Sequence, residues 1–536
     1  MPYTPNKQDP QHETSGIKMG PAALDHLPTE ILHMILSYLG FHCSGKHRPE
    51  PPDAYIRGDR QESDQPSWYS LKLQTLLSLC LVSRRLRNAV QPILYHEFVL
   101  GYGDSWRSDL YTWGGRLTSF MRTVAQRRDL AALVKRIYIH PYLLEFFGEE
   151  KEDQVFELLC HRNMWRVIRP QPRQFITQDE ARDALREVAH ALGIEELQQL
   201  SAGDLVAVLI SELPNLEHFS FQVGPYHGKI VRSAGLRAAG ISRLPLRTID
   251  ISLRATAREA HYGSLFDLGQ TASALLGVST GLETLNLHMC KGITRRARFP
   301  SLPNLKTLRL TFSRLGERDL ERLLSSCNGL RSFFYEATNC PFTGYNSSYD
   351  CSDHFQLSNA VRYLSRHRAT LESLHLDLRK RGHTQDGPEP RAVFSFREFT
   401  VLKHLFLNLD EFHTRFWAGT PAEDPDLLVQ LLPPSITSLH LAGHITDELP
   451  RLEESLLGLA HAASRGQFPR LEEVRWDHKE KLNSEAIVST AFAAAGVSFG
   501  YDRWPMSMST LGDGGKSPPP NYRNPFPLPD PDEPDL

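Results

Sequence analysis

The chain has 536 residues, of which 40% are hydrophobic and 23% are charged. These proportions are close to those of soluble globular proteins, and they exclude a chain that is disordered throughout. Sixty basic against 63 acidic residues give a net charge of −3, so no global field favours nucleic acid or an anionic membrane as a partner.

Three stretches are predicted to be unstructured, because they hold few apolar side chains to offset the loss of chain entropy. They are residues 1–22, 40–70 and the proline-rich, acidic tail 505–536. The first twenty residues contain no apolar run that suits a secretory signal, and no run reaches the roughly 18 apolar residues of a membrane span. Seven scattered cysteines do not indicate a disulfide framework. We therefore expect a protein of the cytoplasm, the nucleus or both, without membrane contact.

Two apolar helical segments are predicted near the N-terminus, one on each side of the polar stretch 40–70. Pro28 and Glu30 suit the first turn of the first helix. An apolar stripe follows at helical spacing, formed by Ile31, Leu32, Ile35, Leu36 and Leu39. The second segment repeats the pattern from Leu76 to Val90, and Pro92 is expected to end it.

Short helices of this kind bury too little surface to be stable by themselves. Part of their apolar surface is therefore expected to pack within the module and part on the following domain, and the remainder is available to a partner helix or groove. The alternative is an ordinary helical hairpin that caps the domain after it.

The two segments, LDHLPTEILHMILSYL and LLSLCLVSRRLRNAVQPILY, resemble an F-box. The matching elements are Leu27-Pro28, Glu30-Ile31, Ile35, Tyr38-Leu39, Leu79, the run Val82-Ser83-Arg84-Arg85-Leu86, and Leu94-Tyr95. The insertion 40–70 is longer than the usual connection, but a long solvated loop adds only ~0.6 kcal/mol of closure entropy per doubling of length. Residues 96–133 extend the similarity to the large group of fungal F-box proteins.

An F-box docks onto the Skp-type adaptor of a cullin–RING ubiquitin ligase of the SCF type. The resemblance therefore implies these partners, and an F-box module over residues 24–96 followed by linking helices over 97–132. The residues expected at the adaptor contact are Leu27, Pro28, Ile31, Leu32, Ile35, Leu36, Leu39, Leu79, Val82 and Leu86. Some of them are expected to hold the module together instead.

One six-residue pattern, apolar-x-x-apolar-x-apolar, recurs through the rest of the chain. After a first copy at Val134, its copies begin at Leu216, Leu246, Leu282, Leu305, Leu330, Leu371, Leu402, Ile436 and Leu471. The alternation within each copy predicts a strand. The apolar stretches between copies predict helices, at residues 265–279, 315–327, 355–369 and 452–465.

A strand and a helix repeated along a chain resemble a leucine-rich-repeat solenoid, in which each unit buries its faces on its neighbours. We predict an α/β fold: a small all-helical F-box, then an irregular solenoid over 133–500 with parallel strands on the concave side and helices on the convex side. A doubly wound sheet would need near-continuous apolar strands, whereas polar residues separate the leucines here. Cys290 is expected to be a core residue of its repeat.

The polar and aromatic residues between the strand leucines are expected to line the concave face and to bind a protein target. Aromatic and arginine side chains dominate the energetics of such interfaces. The candidate target-binding residues are His218, Asp250, Asn286, Arg309, His375, His404, Phe406, His440 and Arg475.

Two other patterns imitate chemical sites but lack an essential feature. Residues 512–517 end like a phosphate-binding loop, but Thr510 replaces its first glycine, and the prolines from Pro518 forbid the helix that must follow. The second pattern is a set of zinc-ligand types without the short paired spacing of structural sites, namely Cys327, Cys340, Cys351 and His354. We expect neither a metal nor a cofactor.

The sequence thus predicts a protein that is not an enzyme but a substrate receptor, binding the adaptor through the F-box and an unidentified protein target through the repeats. The alternative is a leucine-rich-repeat scaffold or inhibitor without a ubiquitin-ligase role. A hydrolase, the third class considered, would require a nucleophile and a base clustered in a pocket.

Overall fold

The computed structural model of the protein describes most of the N-terminal helical segments and most of the repeat region. The described residues are 27–39, 68–98, 117–139, 202–223, 231, 233–253, 265–293, 299–338, 355–379, 394–409, 421–443, 448–477 and 481–502. The predicted unstructured stretches 1–22 and 505–536, and residues 40–67 of the third, lie outside this set.

Three helices form the N-terminal module: α1 (Thr29–Ser37), α2 (Trp68–Val82) and α3 (Arg84–Leu94). The single run predicted from Leu76 to Val90 is two helices, because Ser83 is extended and its side chain caps α3 by accepting a hydrogen bond from the Leu86 amide at 3.1 Å. α2 also begins inside the stretch predicted to be unstructured.

The prediction that Pro92 ends the second segment was wrong. Pro92 lies inside α3, whose last turn is continued by a hydrogen bond of 2.9 Å from the Tyr95 amide to the Gln91 carbonyl. Val90 and Ile93 are buried on either side of it, and this packing stabilises the turn against the loss of one backbone donor.

The module has a small core of its own, separate from that of the repeats. Eight buried side chains form it: Leu32, Leu36, Leu76, Cys80, Leu86, Ala89, Val90 and Ile93. Two arginine side chains of α3 tie the helices together: Arg85 donates to the Leu27 carbonyl at 2.5 Å and Arg87 to the Cys80 carbonyl at 3.1 Å.

A short strand joins the module to the repeats. β1 (Glu97–Phe98) directly follows α3 and pairs in parallel with β2 (Arg136–Ile139). The linking helices between them are α4 (Thr118–Gln126) and α5 (Arg128–Ala131). Phe98 stacks on Phe120 of α4 with 4.4 Å between ring centroids, so the end of the module is packed on the first helix of the linker.

Twelve strands of the described residues form one parallel sheet in the order β1-β2-β3-β4-β6-β8-β9-β10-β11-β12-β13-β14. The strands after β2 are β3 (His218–Val223), β4 (Thr248–Leu253), β6 (Thr284–His288), β8 (Thr307–Ser313), β9 (Ser332–Ala337), β10 (Ser373–Asp377), β11 (His404–Asn408), β12 (Ser438–Ala442), β13 (Glu473–Asp477) and β14 (Ser498–Asp502). All ten copies of the repeated pattern are strands of this sheet, which confirms that prediction. β1 and β14 were not predicted.

Helices connect the strands. They are α6 (Ala202–Ser211), α7 (Ser233–Ala238), α8 (Leu268–Thr271), α9 (Ser273–Val278), α10 (Glu317–Ser325), α11 (Leu357–Leu364), α12 (Leu427–Leu431), α13 (Leu449–Ser464) and α14 (Glu485–Ala494). Of the four predicted helices, that at 265–279 is divided: Phe266–Asp267 is β5, which pairs with β7 (Cys290–Gly292), and the Asp267 side chain caps α8 at the Gln270 amide.

One continuous apolar core runs from the linker to the last strand. Strand leucines such as Leu308 and Leu310 share it with helix leucines such as Leu320 and Leu323, and Cys290 is buried in it as predicted. The helices therefore cover one face of the sheet. The alternate side chains of the strands form the opposite face, called the open face below.

Candidate functional site

The open face carries side chains in rows, because the parallel strands pair in register. The central row follows the registered positions of successive strands and consists of Tyr138, Ser220, Asp250, Asn286, Arg309, Phe334, His375, Phe406, His440, Arg475 and Gly500. Seven of the nine candidate target-binding residues lie in this row. The other two, His218 and His404, begin their strands and lie one row before it.

A stack of π-systems occupies the middle of the central row. The ring of His375 lies between those of Phe334 and Phe406, with centroid separations of 4.0 and 3.8 Å. The guanidinium of Arg309 lies over the other face of Phe334 at 4.4 Å. Burial, together with the nearby charges of Arg309, Arg379 and His440, lowers the pKa of His375 well below its usual value. His375 is therefore a neutral member of the stack at neutral pH.

A polar cluster lies at the β3–β6 end of the central row. The carboxylate of Asp250 accepts from Ser220 Oγ at 2.8 Å and Asn286 Nδ2 at 2.6 Å, and its Oδ2 lies 2.5 Å from His218 Nε2. Burial alone would raise the pKa of Asp250, but these three partners hold it below its usual value. All four side chains are buried, so this cluster is a satisfied internal network.

A similar cluster lies at the β12–β13 end. Ser438 Oγ lies 2.8 Å from His440 Nε2 and 2.9 Å from Glu473 Oε1, and Arg475 Nε donates to Glu473 Oε2 at 3.1 Å. Burial lowers the pKa of His440, against the opposing effect of Glu473. His440 and Arg475 are half-buried, so part of this cluster is accessible.

Both clusters contain serine, histidine and a carboxylate, which are the side chains of a hydrolytic triad. In such a triad one imidazole nitrogen receives the serine proton while the other donates to the acid. Here the serine and the carboxylate contact the same nitrogen, Nε2, in each cluster. Neither arrangement can relay a proton from serine in that way, so neither cluster supports the hydrolase hypothesis.

Buried carboxylates surround one arginine at the carboxyl ends of the strands. Arg379 donates from Nε to Asp377 Oδ1 at 2.9 Å and from Nη2 to Asp377 Oδ2 at 2.6 Å, and its Nη1 lies 3.6 Å from Oδ2 of Asp477. Glu336 pairs with Asp377 in the sheet register and is also buried. Burial opposes the charge of Arg379, but the three carboxylates raise its pKa above the usual value.

The candidate target-binding residues differ widely in exposure. Buried among them are His218, Asp250, Asn286, Arg309 and Phe406. His375, His440 and Arg475 are half-buried, and His404 is exposed. The register places these residues on the face opposite the helices, in agreement with the prediction. The members that solvent can reach are all in the C-terminal half of the set.

The N-terminal module leaves two apolar stripes uncovered. The α1 stripe is formed by Ile31, Met34, Ile35 and Tyr38, and the α2 stripe by Leu77, Leu81 and Val82. Their side chains are between 39% and 75% exposed. The spacing of the α1 stripe, at i, i+3, i+4 and i+7, places its four side chains on one helix face.

Among the residues expected at the adaptor contact, Leu32, Leu36 and Leu86 are buried in the core of the module. The exposed members are Pro28, Ile31, Ile35 and Val82, and the half-buried members are Leu27, Leu39 and Leu79. The sequence did not predict Met34, Tyr38, Leu77 and Leu81 at the adaptor contact, because a helical period alone does not tell which apolar side chain faces the core.

The cysteine pattern gives no sign of metal binding where the structure describes it. Cys327 is buried, and burial raises the pKa of its thiol to about 11; Cys340, Cys351 and His354 lie outside the described residues, as does the segment 512–517. In the described part of the chain, no group of three or more His, Cys, Asp or Glu side chains is arranged to hold a metal ion. Within the same residues, no helix is long and apolar enough to cross a bilayer.

Comparison with known proteins agrees with the repeat architecture. A family model described as a leucine-rich repeat domain matches residues 288–501, which include the π stack, the strands from β8 to β13 and all but the last residue of β14. A search of curated proteins found no match to the chain. The register, the shared core and this match together show that the chain contains a leucine-rich repeat domain, a kind of domain that serves protein–protein interaction.

Proposed function

We propose that this chain is the substrate-recognition subunit of an SCF-type ubiquitin ligase. The N-terminal module would bind a Skp-type adaptor, and the open face of the repeats would hold the protein target. The chain would make and break no bond itself. Its contribution would be proximity, since tethering a target near the ubiquitin-charged enzyme raises its effective concentration.

The observation that carries the proposal is the pair of uncovered apolar stripes on α1 and α2. The module has already filled its own core with Leu32, Leu36 and Leu86, yet it still exposes seven large apolar side chains. Clustered exposure of this kind marks an interaction site. Burial of three or four of these side chains by a partner would supply ~1.5–3 kcal/mol each.

The adaptor contact is tested by co-purification of the full chain with a Skp-type adaptor. Ile35→Lys and Leu81→Lys place a charge in each stripe without disturbing the buried core, and we expect both variants to lose the adaptor. Ile487→Lys is the matched control, because Ile487 is 61% exposed on α14, outside the module. If both stripe variants retain the adaptor as firmly as the control, the ubiquitin-ligase proposal is refuted.

The receptor role is tested by the proteins that remain bound in cells. A chain with both stripe substitutions should hold its target without delivering it for ubiquitination. We therefore expect more bound target on this chain than on the unaltered chain. When the proteasome is inhibited, we expect the two chains to hold equal amounts of target. Equal yields from both chains without inhibition would contradict delivery to a ligase.

The alternative is a leucine-rich-repeat scaffold or inhibitor whose N-terminal helices serve as a cap. The pairing of β1 with β2 favours it, because the module ends in a strand that covers the edge of the sheet. The two proposals predict different effects of the stripe substitutions. A cap does not require the seven exposed apolar side chains for binding, so its stripe variants would retain every partner.

A further inference from the structure

β14 is an accessible edge strand of the large sheet. It stands last in the strand order, and among the residues that the structure describes its only strand neighbour is β13. Ser498 is exposed and the other four residues of β14 are half-buried, whereas three of the five residues of β13 are buried. The strand at the opposite edge, β1, has only two residues. β14 is therefore the edge that is long enough to accept a further strand.

The composition of β14 does not protect this edge. Natural edge strands usually carry lysine, proline or a bulge, which discourage pairing with another chain. β14 reads Ser-Phe-Gly-Tyr-Asp, without lysine or proline, and it pairs with β13 without a shift of register. A glycine within a strand, here Gly500, often marks the close approach of another backbone.

The backbone of β14 points alternately towards β13 and away from it. The Ser498 amide donates to the Glu472 carbonyl at 2.8 Å. Because strands have a period of two, the amides and carbonyls of Gly500 and Asp502 also face β13. Those of Phe499 and Tyr501 therefore face the outer edge, where they can pair with another strand.

These outward groups fit those of a second, antiparallel β14. With Gly500 opposite Gly500 of the second copy, Phe499 lies opposite Tyr501 of the second copy and the two exchange hydrogen bonds. Both members of that pair are aromatic, and such cross-strand pairs stabilise sheets. A strand of polar, aromatic, glycine, aromatic and polar residues has the same pattern in both directions, as a two-fold symmetric interface requires.

The polar and charged groups on the open face also match in this register. Ser498 would lie opposite Asp502 of the second copy, with about 4.5 Å between their Cα atoms. The guanidinium of Arg475 lies over Gly500, since a Cβ at Gly500 would be 2.7 Å from Arg475 Nη1. Arg475 also donates to Glu473, which is the register neighbour of Ser498. The positive charge of Arg475 is thus held beside the row that the second Asp502 would join.

We propose that two copies of this chain form a dimer by antiparallel pairing of β14, with the two-fold axis at Gly500. A strand of another protein could use the same backbone groups, but it would not account for the symmetric pattern of β14. The two-fold axis of an antiparallel strand pair is perpendicular to the sheet, so both open faces would point the same way. A target with two recognition segments would then bind with avidity, and only this consequence rests on the proposed function.

The register is tested by a disulfide between full-length chains. Ser498→Cys combined with Asp502→Cys places thiols opposite each other, with Cα atoms about 4.5 Å apart, a separation that a disulfide can span. Each single variant places its two thiols about 14 Å apart across the axis, which is too far. Under mild oxidation we expect a covalent dimer in the double variant, well above the level in either single variant or the unaltered chain. No dimer in the double variant, or equal amounts in all four chains, would overturn the inference.

A second test uses charge and measures the dimer dissociation constant by analytical ultracentrifugation. Ser498→Asp places like charges opposite each other twice in the dimer and should weaken it about 3- to 30-fold, whereas Ser498→Lys should not weaken it. Adding Asp502→Lys to Ser498→Asp should restore the dimer. This double variant keeps the new acid beside Glu473, so it separates repulsion within one chain from repulsion across the interface.

Two results of this experiment would contradict the dimer. One is an equal dissociation constant for Ser498→Asp and Ser498→Lys, which would place the contact elsewhere on the chain. The other is an unaltered chain that stays monomeric up to about 100 μM, where an interface worth more than about 5.5 kcal/mol would be largely assembled.

Discussion

The imidazole ring of His375 stacks on the phenyl ring of Phe406 with 3.8 Å between centroids and 12° between planes. Both side chains point away from the helices, on the face expected to be open, yet Phe406 is only 3% exposed. The π stack is thus a second, thin layer of packing on the open face. Its accessible part for a target is the half-buried rings of Phe334 and His375.

We expect Phe406 to contribute mainly to the stability of the fold rather than to target binding. Phe406→Ala removes a buried ring from the stack and should lower the free energy of unfolding by about 3–5 kcal/mol. Urea unfolding followed by circular dichroism measures this, with Phe406→Leu as a milder control. A loss below 1 kcal/mol would show that the stack does not support the fold, and would restore Phe406 as a direct contact.

The stack should make stability depend on pH through His375. Because the pKa of folded His375 lies well below that of an unfolded histidine, near 6.5, its side chain is neutral in both states at pH values well above 6.5. As pH falls through that value, the histidine is protonated in the unfolded chain but stays neutral in the folded chain. Stability therefore falls as pH decreases, by at most about 1.4 kcal/mol per pH unit for one group. His375→Phe should lose less stability than the unaltered chain between pH 7.5 and 5.5. Parallel curves for the two proteins would contradict this assignment.

Charged side chains that precede the strands should contribute little to the free energy of unfolding, and their contribution should depend on the salt concentration. Glu372 lies 2.8 Å from Lys403 and 4.0 Å from Arg331, which precede the neighbouring strands. Exposed pairs of this kind are worth about 0.2–1 kcal/mol. Glu372→Lys should therefore cost ~1 kcal/mol more than Glu372→Gln in low salt, and the difference should vanish in 1 M NaCl, where the Debye length is ~3 Å. A difference that persists in high salt would mean that packing, not charge, is at work.

Adjacent residues of α1 are expected to respond in opposite ways. Leu32 is buried in the core of the module, so Leu32→Ala should cost about 2–5 kcal/mol and increase hydrogen exchange in α2 and α3. Ile31 is 39% exposed, so Ile31→Ala should leave exchange unchanged and weaken only partner binding. Equal exchange in the two variants would mean that the module core is not organised around Leu32.

The sequence by itself determined the strands and most of the long helices. Each copy from Leu216 to Leu471 places an apolar residue at every second strand position, and this period of two survives any tertiary arrangement because it is a property of the extended backbone. β14 was missed because Ser498–Asp502 lacks the leading leucine of the other copies. Pro92 was misjudged because the local cost of a proline was outweighed by the packing of Val90 and Ile93.

Only the tertiary structure decided which side chains remain accessible. Asp250 and Phe406 lie on the same open face as the exposed His404, yet both are buried, because Ser220 donates to Asp250 and His375 stacks on Phe406. Arg379 meets Asp477 although nearly one hundred residues separate them. Such contacts depend on the register of strands that are distant in the sequence, and no local period encodes them.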